Sequence, residues 1–284
     1  MRFFDLHADT PYLCFEQNIA FNDFRLAVTP DKADFLTEWR QCFAVFVRDD
    51  AENPYSYYNE VLRDFKRQIS GIKKPKIYYT LEGASLIDST EKVFKIKKDG
   101  IRAVTLTWNG ENKIAGGVNS QKGLSPFGAE VIEALNKNKI CCDLSHLNKK
   151  SFFDVTDRAE YPFASHSNCS FICKNPRNLT DEQIKLIAER KGIIGLCFYP
   201  QFLSGEVFSS LYKNIYHLLS KGLEDNISVG SDFDGALMDK SLDGIDKIPA
   251  LYGYLEQKGL SKNLLDKIFY TNALKFFDKT EDMI

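Results

Sequence analysis

Residues 140–146 read ICCDLSH, and one helix and one strand further on residues 162–166 read PFASH. In each, an apolar run of strand length, Ile140–Leu144 and Pro162–Ser165, stops at a histidine, His146 and His166. A strand apolar along its whole length, with little alternation, is buried on both faces, as parallel strands are. Runs of the same kind recur at Phe3–His7, Gln41–Val47, Lys76–Leu81, Ala103–Trp108, Ile193–Tyr199 and Ile227–Gly230, which makes eight strands. Between them lie helical patterns at Asn59–Ile69 and Phe127–Asn138. Thr180 with Asp181, Glu182 and Gln183 opens a capping-box helix that runs to Arg190 and is closed by Lys191-Gly192. Phe208–Leu223 and Ser261–Phe277 supply the last helices. Eight strands alternating with helices in about 250 residues is the arithmetic of an α/β protein built as a (β/α)8 TIM barrel; a doubly wound sheet is the alternative. The barrel is favoured because ionisable residues end strands one, three, five, six and eight, and only a closed ring brings such separated ends to one point.

A chain of 284 residues with 44% hydrophobic content is long enough for one barrel with a large core, and a single domain over residues 1–284 is expected. Net charge is -2, from 37 basic and 39 acidic residues, which leaves no electrostatic footprint for nucleic acid or an anionic membrane. The seven cysteines are odd in number, form no CxxC or Cys/His ladder, and mostly sit in apolar runs such as Cys141-Cys142 and Cys197. They read as free thiols of a reducing compartment. No stretch approaches the ~20 apolar residues of a membrane span, and the first strand begins almost at Met1, so a cytoplasmic protein is expected. The sequons at Asn168, Asn178 and Asn226 carry no weight in such a protein.

His7 and Asp9 stand two apart and so point to one side of a strand, where an imidazole nitrogen and a carboxylate oxygen can share a cation. Alone, the pair is better met by a hydrogen-bonded histidine followed by an Asp9-Thr10-Pro11 turn. His146 and His166 change the balance, since neighbouring strands of a barrel would set two imidazoles side by side for a divalent metal. Glu82 ends an apolar strand where an unpaired charge would be costly. Its two oxygens could bridge a His7/Asp9 site and a His146/His166 site with the metals about 3.5 Å apart; a barrel salt bridge is the bland alternative. Residues 227–235, ISVGSDFDG, deliver Asp232 in the same manner, with Asp234 two residues on; Asp232, the first after the strand, is the expected acid/base beside a metal-bound water. Arg177, in the loop after the sixth strand, could clamp a substrate carboxylate. His217, inside a helix, reads as structural, and Lys73–Lys76 and Lys95–Lys98 as solvated helix ends and turns. Nothing resembles a phosphate-cradling glycine loop.

Taken in order, Asp5-Leu6-His7-Ala8-Asp9, Leu81-Glu82-Gly83, Asp143-Leu144-Ser145-His146, Ser165-His166-Ser167-Asn168, Pro176-Arg177-Asn178-Leu179-Thr180-Asp181 and Gly230-Ser231-Asp232-Phe233-Asp234-Gly235 resemble the membrane (renal-type) dipeptidases, zinc peptidases of the metal-dependent amidohydrolase superfamily. The resemblance runs nearly end to end. It implies two zinc ions, one on His7 and Asp9 and one on His146 and His166, with Glu82 and a hydroxide bridging. It makes Asp232 the acid/base, Arg177 the carboxylate anchor, and the protein a homodimer. Two positions depart from the family pattern. Trp108 stands where better-known members carry a histidine that contacts the scissile carbonyl, and its indole only donates. Phe202, three residues beyond Tyr199, stands where they carry a substrate-contacting tyrosine. Trp108, Tyr199 and Phe202 are therefore the candidate specificity residues. The lipid-anchored relatives also have a secretory signal and a tail not found in this chain.

The expected activity is hydrolysis of dipeptides at a dinuclear zinc centre, other divalent metals being acceptable to such N/O ligands. The alternatives are another hydrolysis on the same barrel, of N-acyl amino acids or lactones, or a binding protein without catalysis, for which at least one ligand position should be replaced.

Overall fold

Eight parallel strands pair in the order β6-β5-β4-β3-β2-β1-β8-β7. They are β1 (Arg2–Ala8), β2 (Glu38–Phe46), β3 (Lys76–Glu82), β4 (Ile101–Thr105), β5 (Cys141–Asp143), β6 (Pro162–Phe163), β7 (Ile194–Leu196) and β8 (Ile227–Val229). The structure is a computed structural model and describes residues 1–280; the last four residues of the domain expected over 1–284 lie outside the described residues. All eight expected strands are present and the ring closes between β6 and β7. There Ala164 bridges Ile194, and the Gly195 N–H donates to the Ala164 carbonyl at 2.8 Å. The seam requires bare backbone: a Cβ on Gly195 or Gly230 would lie 1.9 Å or 1.6 Å from the Ser165 carbonyl oxygen. A barrel thus replaces the doubly wound alternative.

Register sets the level of the site. Glu82 pairs with Thr105, Thr105 with Asp143, and Asp143 with Phe163, while across the ring Asp5 and Leu196 both pair with Val229. Glu82 and Asp143 therefore share one layer, and His146, His166 and Asp232 each follow three residues past a strand end. Strand-end turns do the aiming: His146 (φ 69°) and Asp232 (φ 66°) adopt the left-handed conformation that non-glycine residues avoid.

The helices are α1 (Thr10–Gln17), α2 (Pro54–Gln68), α3 (Thr90–Lys98), α4 (Pro126–Lys137), α5 (Lys149–Thr156), α6 (Asp181–Glu189), α7 (Val207–Leu219), α8 (Ile248–Gln257), α9 (Lys262–Asp266) and α10 (Asn272–Asp278). The capping box of α6 forms as expected, Thr180 and Gln183 each accepting the other's backbone N–H. Helices α1, α3, α5 and α8 were not expected. The Thr10-Pro11 pair starts α1, proline being accommodated in a first turn that needs no N–H, and Lys95–Lys98 end α3. The single helix expected over 261–277 is broken by a π turn at Lys267–Thr271. Ile268, Phe269 and Tyr270 are all buried there; at about 100° per residue, three consecutive side chains overrun one face of an α-helix, and the wider turn accommodates them.

Packing closes the barrel from the end opposite the strand exits. Phe4, Leu6, Cys42, Tyr78, Ala103, Cys141 and Phe163 form one buried cluster with Tyr270, Ala273, Phe276 and Phe277 of the C-terminal segment. The larger cluster lies between the strands and the outer helices, with Phe21, Phe43 and Phe65 meeting edge to face at 5.0–5.6 Å.

Candidate metal centre

Six of the side chains singled out in the sequence converge at the strand exits. His7 Nε2 lies 3.2 Å from Asp9 Oδ2, 3.4 Å from Glu82 Oε2 and 4.0 Å from Asp232 Oδ1. On the other side of Glu82, Oε1 is 2.9 Å from His146 Nε2 and 3.8 Å from His166 Nε2. One carboxylate therefore faces both histidine groups, one oxygen to each. His7, Asp9, Glu82, His146 and His166 are all buried.

The histidine tautomers follow from their far nitrogens. His146 Nδ1 donates to the Asn109 side-chain oxygen at 2.9 Å. His166 Nδ1 meets Ser165 Oγ at 2.7 Å, and Ser165 Oγ in turn donates to Asp143 Oδ2 at 2.5 Å. A carboxylate only accepts, so the serine hydrogen is committed to Asp143 and its oxygen must accept from His166. Both rings thus carry their proton on Nδ1 and present an Nε2 lone pair, and the two Nε2 atoms face each other at 2.9 Å. Opposed lone pairs at that distance call for a cation between or beside them. The hydrogen-bonded far nitrogen is also the usual support of a metal-bound imidazole. A second observation agrees: Asp9 Oδ1 is buried without a hydrogen-bond partner among the described residues. Imidazoles mixed with carboxylates suit zinc and other divalent ions, so the residues fit metal ions.

Two buried aspartates hold this centre from beneath. Asp5 accepts from Ser231 N (2.8 Å), Ser231 Oγ (2.6 Å) and Gln41 Nε2 (2.9 Å). Asp143 accepts from Ser165 N (2.9 Å), Ser145 N (3.0 Å), Thr105 Oγ1 (2.7 Å) and Ser165 Oγ. In each case a strand carboxylate grips the serine that precedes a site residue, Asp232 or His166. Sequence reasoning quoted these residues without giving them a role. The pairings run across 38 and 226 positions of chain, and only the barrel brings them together.

Burial and neighbouring charge separate the protonation of the cluster. Burial tends to lower His7, but Asp9 and Glu82 outweigh it and hold His7 well above the ordinary histidine range. Burial would raise Glu82, yet His7 and His146 hold it well below the carboxylate range. Burial, with the charge of Glu82, pushes Asp9 up to about 8 and Asp232 up to about 6. His146 is pushed down to about 4 by burial and Arg177, and His166 is lowered by burial and His7.

Asp232 and Asp234 part company. Asp234 accepts from Thr10 Oγ1 and from the Ala27 N–H, each at 2.6 Å, and ties down the loop before β2. Asp232 faces the cluster, and its Oδ2 accepts from Cys197 Sγ–H at 3.5 Å. A cavity of about 750 Å³ opens above, lined by Asp9, Glu82, His146 and Asp232 together with Trp108, Arg177, Tyr199 and Phe202. Arg177 is 6% exposed; Nη2 donates to the His166 carbonyl at 3.3 Å, its Cζ sits 5.2 Å over the Phe202 ring, and its Nε has no partner among the described residues. Tyr199 packs edge to face on Phe202 at 5.0 Å. His217 lies elsewhere, on α7, bonded to Asp181 at 2.7 Å and stacked on Phe171.

Such a cluster sits at the strand exits, where TIM barrels carry their chemistry, and makes this a candidate metal centre. The sequence profile of the membrane dipeptidase family, peptidase family M19, matches residues 60–284, and the chain belongs to that family. His7 and Asp9 precede the matched span. The chain is 32% identical over 192 residues, 62% of it, to an uncharacterised protein of the pqqA 5′ region of Klebsiella pneumoniae, of which it covers 71%. It is 30% identical over 215 residues, 72% of it, to an uncharacterised dipeptidase of Schizosaccharomyces pombe, and spans 53% of that relative's length. Among solved structures, a metallopeptidase from Rhodobacter sphaeroides with a phosphinate mimic of the dipeptide L-Ala-D-Ala superposes with TM-score 0.86, at 21% identity over 99% of both chains. A family M19 dipeptidase superposes with TM-score 0.88 at 22% identity, over 99% of this chain and 98% of the other; at these identities the likeness is one of fold. Among the described residues, no helix is long and apolar enough to cross a membrane.

Proposed function

We propose that the protein is a dipeptidase working with two divalent cations, zinc in the first instance. His7 and Asp9 would hold one, His146 and His166 the other, and Glu82 would contribute an oxygen to each. When bound, the ions supply the Lewis acidity that activates water and polarises the scissile carbonyl. The remaining work falls to the chain. Asp232, beside His7 and free of any cationic partner within hydrogen-bond reach, takes the proton of the attacking water and returns it to the departing amine. Arg177 receives the terminal carboxylate of the substrate. Trp108, Tyr199 and Phe202 form the cavity walls against which the rest of the dipeptide packs. The unpaired cysteines agree with a cytoplasmic setting.

One observation carries this reading: the buried Arg177 guanidinium, held by the His166 carbonyl, lines the same cavity as the ligand cluster. A guanidinium is the side chain best suited to pair with a carboxylate, and a substrate carboxylate entering the cavity would supply the countercharge. The phosphinate dipeptide mimic in the Rhodobacter relative agrees with a dipeptide of this size. Trp108, in place of a polar carbonyl contact, keeps N-acyl amino acids and lactones as the competing substrates. The test is a panel assayed with added zinc, manganese or cobalt: dipeptides, including D-residues at the carboxyl end, beside N-acyl amino acids and lactones. Dipeptide cleavage that exceeds the other classes in kcat/KM supports the proposal; lactone or N-acyl cleavage without dipeptide cleavage refutes it.

A further inference from the structure

The cavity wall facing away from Arg177 is aromatic and continuous. Tyr12 of α1 meets Phe46, the last residue of β2, edge to face at 5.2 Å; Phe46 meets Trp108 at 5.5 Å; and Trp108 lies 6.4 Å, ring to ring, from the candidate ligand His146. These rings therefore run outward from the reacting centre without a gap. Strand positions set the direction. In an eight-membered ring β2 stands opposite β6, whose following loop carries Arg177, so a substrate held at Arg177 and lying across the ligand cluster ends against this wall.

Trp108 is held in place although 39% exposed. Asp49, from the loop after β2, accepts from the Trp108 N–H (3.3 Å), the Gly110 N–H (3.0 Å) and Asn112 Nδ2 (3.3 Å). One carboxylate thereby ties the loop after Phe46 to the loop carrying Trp108. The Trp108 ring is thus presented to the cavity and is not folded into the core. Arg48 also lines this side of the cavity, and its pairing with Asp50 at 2.9 Å means that the pair adds no net charge to the wall.

Resting on the dipeptidase reading, we infer that the Tyr12–Phe46–Trp108 wall is a selectivity subsite for the amino-terminal residue of the substrate, and that it takes a large apolar or aromatic side chain. An apolar pocket discriminates by roughly tenfold or more for each substantial increment of buried side chain. The experiment compares kcat/KM of the metal-loaded enzyme for Phe-Ala, Leu-Ala, Ala-Ala, Lys-Ala and Ala-Phe. It is repeated with Trp108→Ala and with Phe46→Ala. Expected is at least a tenfold preference for Phe-Ala over Ala-Ala and Lys-Ala, with the ratio falling toward unity in both variants. Binding gives a second readout. Of the two tryptophans, Trp39 is buried and Trp108 is not, so Phe-Ala should perturb tryptophan emission of the metal-free protein where Ala-Ala at equal concentration does not. A flat profile across the first residue, a preference confined to the second residue, or a preference for Lys-Ala overturns this inference and leaves the dipeptidase reading standing. Cleavage of no dipeptide overturns both. The wild-type profile decides even if a variant does not fold.

Discussion

Replacing Ser165 by alanine isolates the link between the strand scaffold and the metal centre. The hydroxyl does two things: it accepts the Nδ1 proton of His166 at 2.7 Å and donates to Asp143 at 2.5 Å. Asp143 keeps its bonds from Thr105 and from the Ser145 and Ser165 backbone N–H groups, so the barrel seam should survive. His166, however, loses the acceptor that fixes its tautomer. Its proton can move to Nε2 and bond the Nε2 of His146, 2.9 Å away. That relieves the buried donor and at the same time removes a lone pair that a cation needs. The expected cost is therefore larger for metal than for folding: about 10- to 100-fold in affinity, equivalent to about 1.4–2.8 kcal/mol, against about 1 kcal/mol of metal-free stability. Competition with a chromogenic chelator gives the first quantity and urea unfolding of the metal-free protein the second. Metal affinity within threefold of the native protein, in a variant with native circular dichroism, would refute the tautomer argument.

Four further outcomes follow from the same geometry. Asp232→Asn should lower kcat by about 10²- to 10⁴-fold with metal stoichiometry unchanged by elemental analysis; near-native turnover would exclude it as the acid/base. Arg177→Met should raise KM for dipeptides at least tenfold while barely affecting the corresponding dipeptide amides, which lack the carboxylate; an equal penalty on both would place the arginine's role elsewhere. Metal binding should release protons at neutral pH, because Asp9 is held up at about 8 and His7 well above the ordinary histidine range, whereas His146, at about 4, is already neutral. Affinity then falls as pH drops, by roughly tenfold per unit for each proton displaced, and calorimetry in buffers of different ionisation enthalpy would read no difference if the assignment is wrong. Gly230→Ala, whose Cβ would lie 1.6 Å from the Ser165 carbonyl oxygen, should destabilise by about 3 kcal/mol or more, and a melting temperature close to that of the native protein would contradict the tight seam.

The strands were legible because a doubly covered parallel strand must be apolar throughout, and glycine, lysine and aspartate mark its ends. The ligands were legible for the converse reason: a histidine or glutamate that ends such a run has few roles other than a paired or coordinating one. What could not be read was spatial. Nothing local distinguishes Asp5, Asp143 and Ser165 from ordinary strand residues, since their partners are supplied by neighbouring strands. Cys197, read as a small buried hydrophobe, is buried as expected but also donates to Asp232. Helices α1, α3, α5 and α8 were missed because short amphipathic segments carry little periodic signal, and the break at 267–271 depends on packing against the barrel bottom.

Trp108 and Asn109 are adjacent in the chain and both line the cavity, and Asn109 also fixes the proton of His146. A substitution that reshapes the substrate wall at residue 108 therefore also pulls on the backbone that orients a candidate ligand. Lineages that drift in substrate preference at this loop would pay in cation retention, whereas changes at Tyr199 or Phe202 would escape that penalty. Selection acting on diet and selection acting on metal supply would be coupled through one peptide bond.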